Sequence, residues 1–593
     1  MTNGEEVTGA APTHWRDGIR WWQPLLAFVA LLFAAFTVVG SSFQRTATAI
    51  DLTRSTASLA RSVLLIALLA VLIYAALVAL FSWLDRRDRR LPTTPTTTMT
   101  AAMRRWFIPC WLPISGAWLV WLALHYPGNM DADTMAQRLQ WMGLAKPSDH
   151  HPWFDTMVFG WFWDLGDALG NAAFGFFGYL VVQVLALGAG VAFCLCYLTK
   201  LGLSRRIRLA LVIIAAFSPA TLTLSIMMSK DGLSTIFWLP FLVLYAEIAR
   251  TRGRILRRVP VSAAMVCICC LLVLTKRTNI YLAALSLVVL LIVVSKRFWL
   301  PLVAGFVGVA VVTLGLWTSV ILPAWGVQKP TSNDMLSIPT QQTARIVKEH
   351  GPEVPPDERA TIDTMLRWNT LAKVYAPERS DAVKARWRDD APAAQKRAYF
   401  EVWFKQLFRY PGTAASATAA NTYQYFTPTT PLRIGNENNF SAHVDNWKKL
   451  SYPSTSRAEI QTLADEIEDP DALQGVRDKL RKTVEILPDR TFFASMAFYA
   501  SWLPILLAVA AIRRRNWFQL ACCWPAFINL AFLVAGPIAF ARYLIPATMF
   551  SSFLLGLLFT AARWEPRQEI AVPVDDDRDA RAAAHPTEPV LAG

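Results

Sequence analysis

The chain has 593 residues, 54% of them hydrophobic and 17% charged, with 24 tryptophans and 33 phenylalanines. That is too apolar for a soluble protein of this length, and the apolar residues fall in runs of about 18 to 25, the length that crosses a bilayer as helix. The net charge of +15 suggests nucleic acid, but the basic residues sit in short connectors: Arg86 to Arg90, Arg104-Arg105, Arg205 to Arg208, Arg250 to Arg258, Lys296-Arg297 and Arg513 to Arg515. Lys/Arg excess in short loops orients membrane helices, so the composition points to an all-α polytopic membrane protein whose basic charge reports topology and lipid contact, with no nucleic-acid partner.

Residues 1 to about 21 read as a short cytoplasmic tail. Spans are predicted near 24–43 and 63–84. A basic inner linker with the low-complexity run Pro92 to Thr98 closes this N-terminal unit, 1–105. The core module, 106–323, opens with a span near 106–125 that delivers an outer loop, 126–173. Within that loop 152–169 is aromatic enough to cross. The flanking basic segments 85–105 and 200–208 should both be inside, however, so an even number of spans separates them. The stretch is therefore expected in the interface, with Asp155, Asp164 and Asp167 facing water.

Further spans are predicted near 174–199, 209–228, 232–249, 260–275, 279–295 and 298–322. The polar segment 324–490 then reads as a small, mainly helical extracytoplasmic domain between spans nine and ten, with helix-like stretches near 340–350, 394–410 and 457–483. A C-terminal module, 491–562, holds spans near 492–511, 517–536 and 541–562. Residues 563–593 read as a disordered cytoplasmic tail. The expected total is about twelve spans with both termini inside. The eight cysteines all fall in apolar runs, where cysteine behaves as a small hydrophobe.

Chemistry is expected in the loop after the third span, His125-Tyr126-Pro127-Gly128-Asn129-Met130-Asp131-Ala132-Asp133-Thr134. A carboxylate held at the membrane surface, Asp131 or Asp133, can act as general base toward an acceptor hydroxyl. The same acids also suit a helix start, since Thr134 to Gln137 fits a Thr-x-x-Gln capping box. His150 and His151 close the loop. An Asp with one of them could ligate a divalent metal, and Asp131, Asp133 and His151 are the candidates, although a histidine there equally serves as a plain hydrogen-bonding group. Lys230, Lys276, Arg277 and Arg542 lie at predicted outer ends of spans, against the positive-inside bias. A phosphate would satisfy them, and for Lys230 so would a simple pair with Asp231.

These residues resemble the GT-C superfamily of membrane glycosyltransferases, and most closely an uncharacterised bacterial group assigned to it. The resemblance rests on Tyr126-Pro127-Gly128 with Asp133-Thr134 and Gln137, on His151-Pro152, and on Lys230-Asp231 between two spans. It continues with Ile338-Pro339-Thr340-Gln341-Gln342-Thr343-Ala344-Arg345, Trp403 and Tyr410-Pro411-Gly412, covering about 106 to 430. It implies a polyprenyl-phosphate-linked sugar donor and transfer on the outer face of a bacterial plasma membrane. It also implies inversion at the anomeric carbon, Asp133 (with Asp131 second) as base, and Gln341, Gln342, Arg345 and His151 as substrate contacts. The acceptor would be an envelope glycan, lipid or protein. The competing expectations are a transporter or flippase of lipid-linked saccharides and a non-catalytic envelope-assembly protein.

Overall fold

The computed structural model describes residues 15–88, 91–329, 336–432, 475–476, 479–480 and 494–565. Among them, eight helices are long and apolar enough to cross a membrane: Pro24–Thr46, Thr56–Asp88, Met99–Leu124, Ala172–Lys200, Lys230–Arg250, Lys296–Ala324, Trp517–Ala535 and Ala541–Leu558. The chain is an all-α polytopic membrane protein. The four remaining predicted spans take other forms. The 209–228 stretch is a pair, Arg205–Phe217 and Pro219–Ser225, bent by 55°, because Pro219 cannot continue the hydrogen bonding of the helix before it. Val259–Thr275, Asn279–Val293 and Phe498–Arg513 are apolar but shorter than the ~20 residues of a straight crossing.

Burial sorts the helices. The Ala541–Leu558 helix is central, with 89% of its apolar window buried, against 6% for Thr56–Asp88 and 11% for Lys296–Ala324. Those two form a rim whose exposed residues, among them Leu64, Val71, Leu300 and Val311, make an apolar surface suited to lipid. Inside the bundle small residues permit close approach: a Cβ on Gly188 would lie 2.2 Å from Ser115 Oγ, so Met99–Leu124 and Ala172–Lys200 pack nearly backbone to backbone.

One end of the bundle is tied by ion pairs between connectors. Asp85 meets Arg513 at 2.6 Å, Asp88 meets Arg514 at 2.7 Å, and Glu247 bridges Lys200 and Arg250 at 2.7 and 2.8 Å. Glu565 pairs with Arg250 at 2.6 Å, so the start of the predicted tail is ordered, and the rest of it lies outside the described residues. These basic connectors share one face of the bundle, as Lys/Arg bias in short loops requires.

At the opposite end, residues 336–432 form a helical unit with its own core of Ala344, Ile346, Ile362, Met365, Leu366, Leu371, Val383 and Tyr399. The predicted helices near 340–350 and 394–410 are Ser337–His350 and Ala393–Arg409. The one near 457–483 lies outside the described residues apart from 475–476 and 479–480. Within the described residues, Tyr425 and Leu432 belong to the core of the helix bundle. There Ser501 Oγ donates to Tyr425 O at 2.7 Å and Trp502 Nε1 to Phe426 O at 2.9 Å.

Candidate functional site

A two-stranded parallel clip builds the site. Asn129 and Met130 pair with Met227 and Met228, and each strand runs directly into a helix N-terminus. Asp131 caps Ala132–Trp141, its Oδ1 accepting from the Asp133 and Thr134 N–H groups at 2.6 and 3.1 Å. Ser229 caps Lys230–Arg250, its Oγ accepting from Gly232 N at 3.1 Å. Two strand-to-helix turns thus stand side by side, presenting N-terminal dipole ends that favour negative charge. Gly128 lets the first turn in: its φ is +120° and a Cβ there would lie 2.0 Å from Leu180 Cδ1. The expected Thr134–Gln137 capping box does not form, because both side chains are used across the fold. Thr134 Oγ1 donates to Met228 O at 2.9 Å, and Gln137 Nε2 to Thr156 Oγ1 at 3.0 Å.

Asp133 is where the elements converge. Its Oδ2 lies 3.0 Å from Arg542 Nη2, 3.3 Å from Lys230 Nζ and 3.7 Å from His151 Nδ1. Arg542 also holds Asp131, Nη1 to Oδ2 at 2.5 Å, in a fork suited to two carboxylates. The expected Lys230–Asp231 pair is not formed. Asp231 instead takes Lys276 at 2.5 Å, and Arg277 takes Asp149 at 2.7 Å. All four predicted phosphate-binding cations therefore sit in this region, and each already has a carboxylate partner.

The two loop acids are driven apart. Burial pushes the Asp131 carboxyl up and Arg542 pulls it down, and the like charge of Asp133 helps leave the balance upward. Burial opposes the charge on Asp133 too, but Arg542 and then Lys230 overcome it and hold the carboxyl well below its usual value. Divergence of this kind between neighbouring carboxyls separates acid from base roles. His151 is depressed to about 3 by burial and by Lys230, so its ring is neutral. Lys230 can only donate, and it lies 3.2 Å from Nδ1, which places the ring proton on Nε2. His150 makes no contact with Asp133 in the described structure, so one histidine of the pair serves the cluster.

A fifth acid belongs to this region although composition assigned it to water. Asp155 is 0% exposed, and neither carboxyl oxygen has a hydrogen-bond partner among the described residues. It lies in the first turn of the Trp153–Ala168 helix, whose Asp164 and Asp167 are exposed as expected. Burial pushes its carboxyl well above the usual value, and of the nearby charges Lys230 pulls hardest the other way. Asp149 and Asp231, the partners of Arg277 and Lys276, were also absent from the expected site residues.

Gln341, Gln342 and Arg345 are not in the cluster. They stitch the 336–432 unit together: Gln341 Nε2 donates to Ala376 O at 2.5 Å, Gln342 Nε2 to Thr418 Oγ1 at 3.0 Å, and Arg345 Nη1 to Ser416 O at 3.0 Å. Gln341 still bears on the site, because the turn it holds grips the segment before Arg542. Ser380 N donates to Pro537 O at 2.9 Å, Arg379 bridges to Ile538, and Asn421 Nδ2 donates to Gly536 O at 3.0 Å.

Of the proposed metal candidates, Asp133 has its Oδ2 taken by Arg542 and Lys230, and the described residues contain no group of three or more His, Cys, Asp or Glu placed to hold an ion.

No curated protein and no solved structure matches the chain. A family model described as a family of unknown function, DUF6020, matches residues 144–571. That stretch contains His151, Asp155, Lys230, Asp231, Lys276, Arg277 and Arg542, and begins just after Asp131 and Asp133. Because the match spans most of the chain, this protein belongs to the DUF6020 family.

Proposed function

We propose that the chain is a membrane glycosyltransferase that moves a sugar from a polyprenyl-phosphate-linked donor to a cell-envelope acceptor on the outer face of the plasma membrane. The observation that carries this reading is Asp133. It is an ionised carboxylate in the first turn of the Ala132–Trp141 helix, 26% exposed at its side chain, fixed by groups from three separate elements at one end of a membrane bundle. An ionised carboxylate is the form a general base requires. The acceptor oxygen attacks the anomeric carbon while its proton passes to Asp133 and the bond from that carbon to the phosphate oxygen breaks. Negative charge grows on the departing phosphate, where Lys276 and Arg277 exchange their carboxylate partners for it. The resting cluster holds Asp133 too weakly basic for this step, so turnover requires one of its two cations to be drawn away.

The transporter reading expects ionisable groups midway along spans. The charged side chains of this cluster all stand at helix starts or in turns, which favours surface chemistry. The test is an envelope glycan and glycolipid profile of a deletion strain complemented with wild type or Asp133→Asn at matched membrane levels. The expected result is a component that vanishes on deletion, returns with wild type and stays down by about 10²-fold or more with the amide. Full restoration by Asp133→Asn removes the base and with it this reading.

A further inference from the structure

We propose that the Ala393–Arg409 helix of the 336–432 unit is a lipid-docking surface. It lays a phenylalanine stripe into the membrane leaflet at its own end of the bundle and sets the neighbouring cations against anionic headgroups. This goes beyond the glycosyltransferase reading and does not depend on it. Among residues 336–432, Phe400, Phe404 and Phe408 are the exposed large hydrophobic side chains, at 37%, 56% and 74%. Every other Leu, Ile, Val, Met, Trp, Tyr and Phe of the unit is at least partly buried. The three recur every fourth residue, so at 100° per residue they cover an arc of about 80°, one continuous stripe. The Phe404 and Phe408 rings stand 5.1 Å apart, edge to face. The other side of the helix, with Tyr399, Val402 and Gln406, is buried in the unit. Exposed apolar residues scattered singly need no explanation, whereas an aligned row on a unit that covers all its others is a contact surface.

Charge and position select lipid as the occupant. Arg397, Lys405 and Arg409 are exposed on the same helix, against one exposed acid, Glu401. Arg397 stands one turn before Phe400, and Lys405 and Arg409 directly follow Phe404 and Phe408. Long basic side chains can bury their stems beside such a stripe and extend their heads to phosphate. An aromatic stripe edged by Lys and Arg is the pattern of helices that lie in the membrane interface. The position agrees. Arg345 Nη1 donates to Ala47 O at 3.2 Å, just past the Pro24–Thr46 span, and to Ser416 O at 3.0 Å. Ser416 is therefore level with the end of that span. It belongs to the Pro411–Thr422 helix, which follows the Ala393–Arg409 helix through Tyr410 alone. From Ser416 back to Pro411 the rise is about 7 Å, and a headgroup layer is about 5–8 Å deep. Trp403 Nε1 donates to Gln342 Oε1 at 2.9 Å and Gln342 Nε2 to Thr418 Oγ1 at 3.0 Å, which ties the middle of the helix to the same level.

Photocrosslinking of the full chain in proteoliposomes tests this. Photoreactive p-benzoylphenylalanine replaces Phe404 or Phe408, and in a control it replaces Gln395, which is exposed and about 180° round the helix from Phe404. The vesicles are phosphatidylcholine with or without phosphatidylglycerol, and adducts are identified by mass. Lipid adducts are expected at 404 and 408 well above the yield at 395, and they should fall when phosphatidylglycerol is left out. Lys405→Gln, combined with the probe at 408, should also lower the yield in the anionic vesicles, since one cation near an anionic surface changes binding by about fivefold. Absence of lipid adducts at 404 and 408 overturns the proposal, as do crosslinks only to a second copy or to another segment of the chain. Equal yields in the two kinds of vesicle overturn the pairing with anionic headgroups. Should the chain with the probe at 404 not fold, position 408, the most exposed of the three, carries the same reading. The measurement needs no sugar transfer, so full activity of Asp133→Asn, which removes the glycosyltransferase reading, leaves this result standing.

Discussion

Arg542 Nη2 lies 3.0 Å from Asp133 Oδ2, joining residues 409 apart in the chain, and its Nη1 holds Asp131 at 2.5 Å. Arg542 is 7% exposed and Asp131 5%, so this is a buried fork between the first turn of the last helix and the loop after the third.

Removing that fork should be costly in stability. Arg542→Gln leaves two loop carboxylates without their shared cation, and breaking a buried pair from one side costs about 3–5 kcal/mol. Thermal unfolding in detergent should show a large drop for Arg542→Gln. Adding Asp131→Asn should recover part of it, with a coupling of about 0.5–3 kcal/mol. Additive losses would mean that the fork carries no shared energy.

Asp131 has two structural uses, capping and pairing, and they separate chemically. Asparagine caps a helix as well as aspartate does, whereas alanine loses about 1 kcal/mol. Asp131→Asn should therefore give up the ion pair alone, and Asp131→Ala should be less stable than it by about 1 kcal/mol. Equal unfolding temperatures for the two variants would refute the cap.

Acid should weaken the fold through His151. Its value falls from 6.5 in the free state to about 3 in the protein, so below pH 6.5 the unfolded chain binds a proton that the folded protein refuses. Its contribution is complete above about pH 6.5 and disappears as pH falls toward 3. Asp133, also depressed, adds a loss in the same direction below about pH 4. Asp155 has the opposite sign: raised by burial, it favours the fold at low pH and ceases to as pH rises through its folded value. His151→Gln should flatten the unfolding-temperature profile between pH 6.5 and about 4, and an unchanged profile would contradict the neutral ring.

The grip on residues 536–538 should set the mobility of Arg542. Asn421→Ala removes the bond to Gly536 O, and Gln341→Ala releases the 376–379 turn. Backbone amide exchange over 536–545 should speed up in both variants, while the ion-paired face near Arg514 stays unchanged. A uniform increase across the chain would indicate general destabilisation instead.

The sequence by itself determined the class and the general place of the site. Runs of Leu, Val, Ala and Phe require lipid or a helical core, and basic connectors must share a side, so the spans and the gathering of Arg513, Arg514 and Arg250 follow from local composition. The loop acids and the misplaced cations Lys230, Lys276, Arg277 and Arg542 were also visible, because charge at a span end is conspicuous against an apolar background. The tertiary structure alone decided which acid meets which cation. Pairing depends on two strand segments of two residues each, too short to leave a periodic signal, and on a contact across 409 positions. It decided too that Asp155 is buried, since an acid in an aromatic helix reads as water-facing until the neighbouring helix covers it. It likewise turned Gln341, Gln342 and Arg345 inward, where amide and guanidinium groups satisfy backbone carbonyls that no local pattern places beside them.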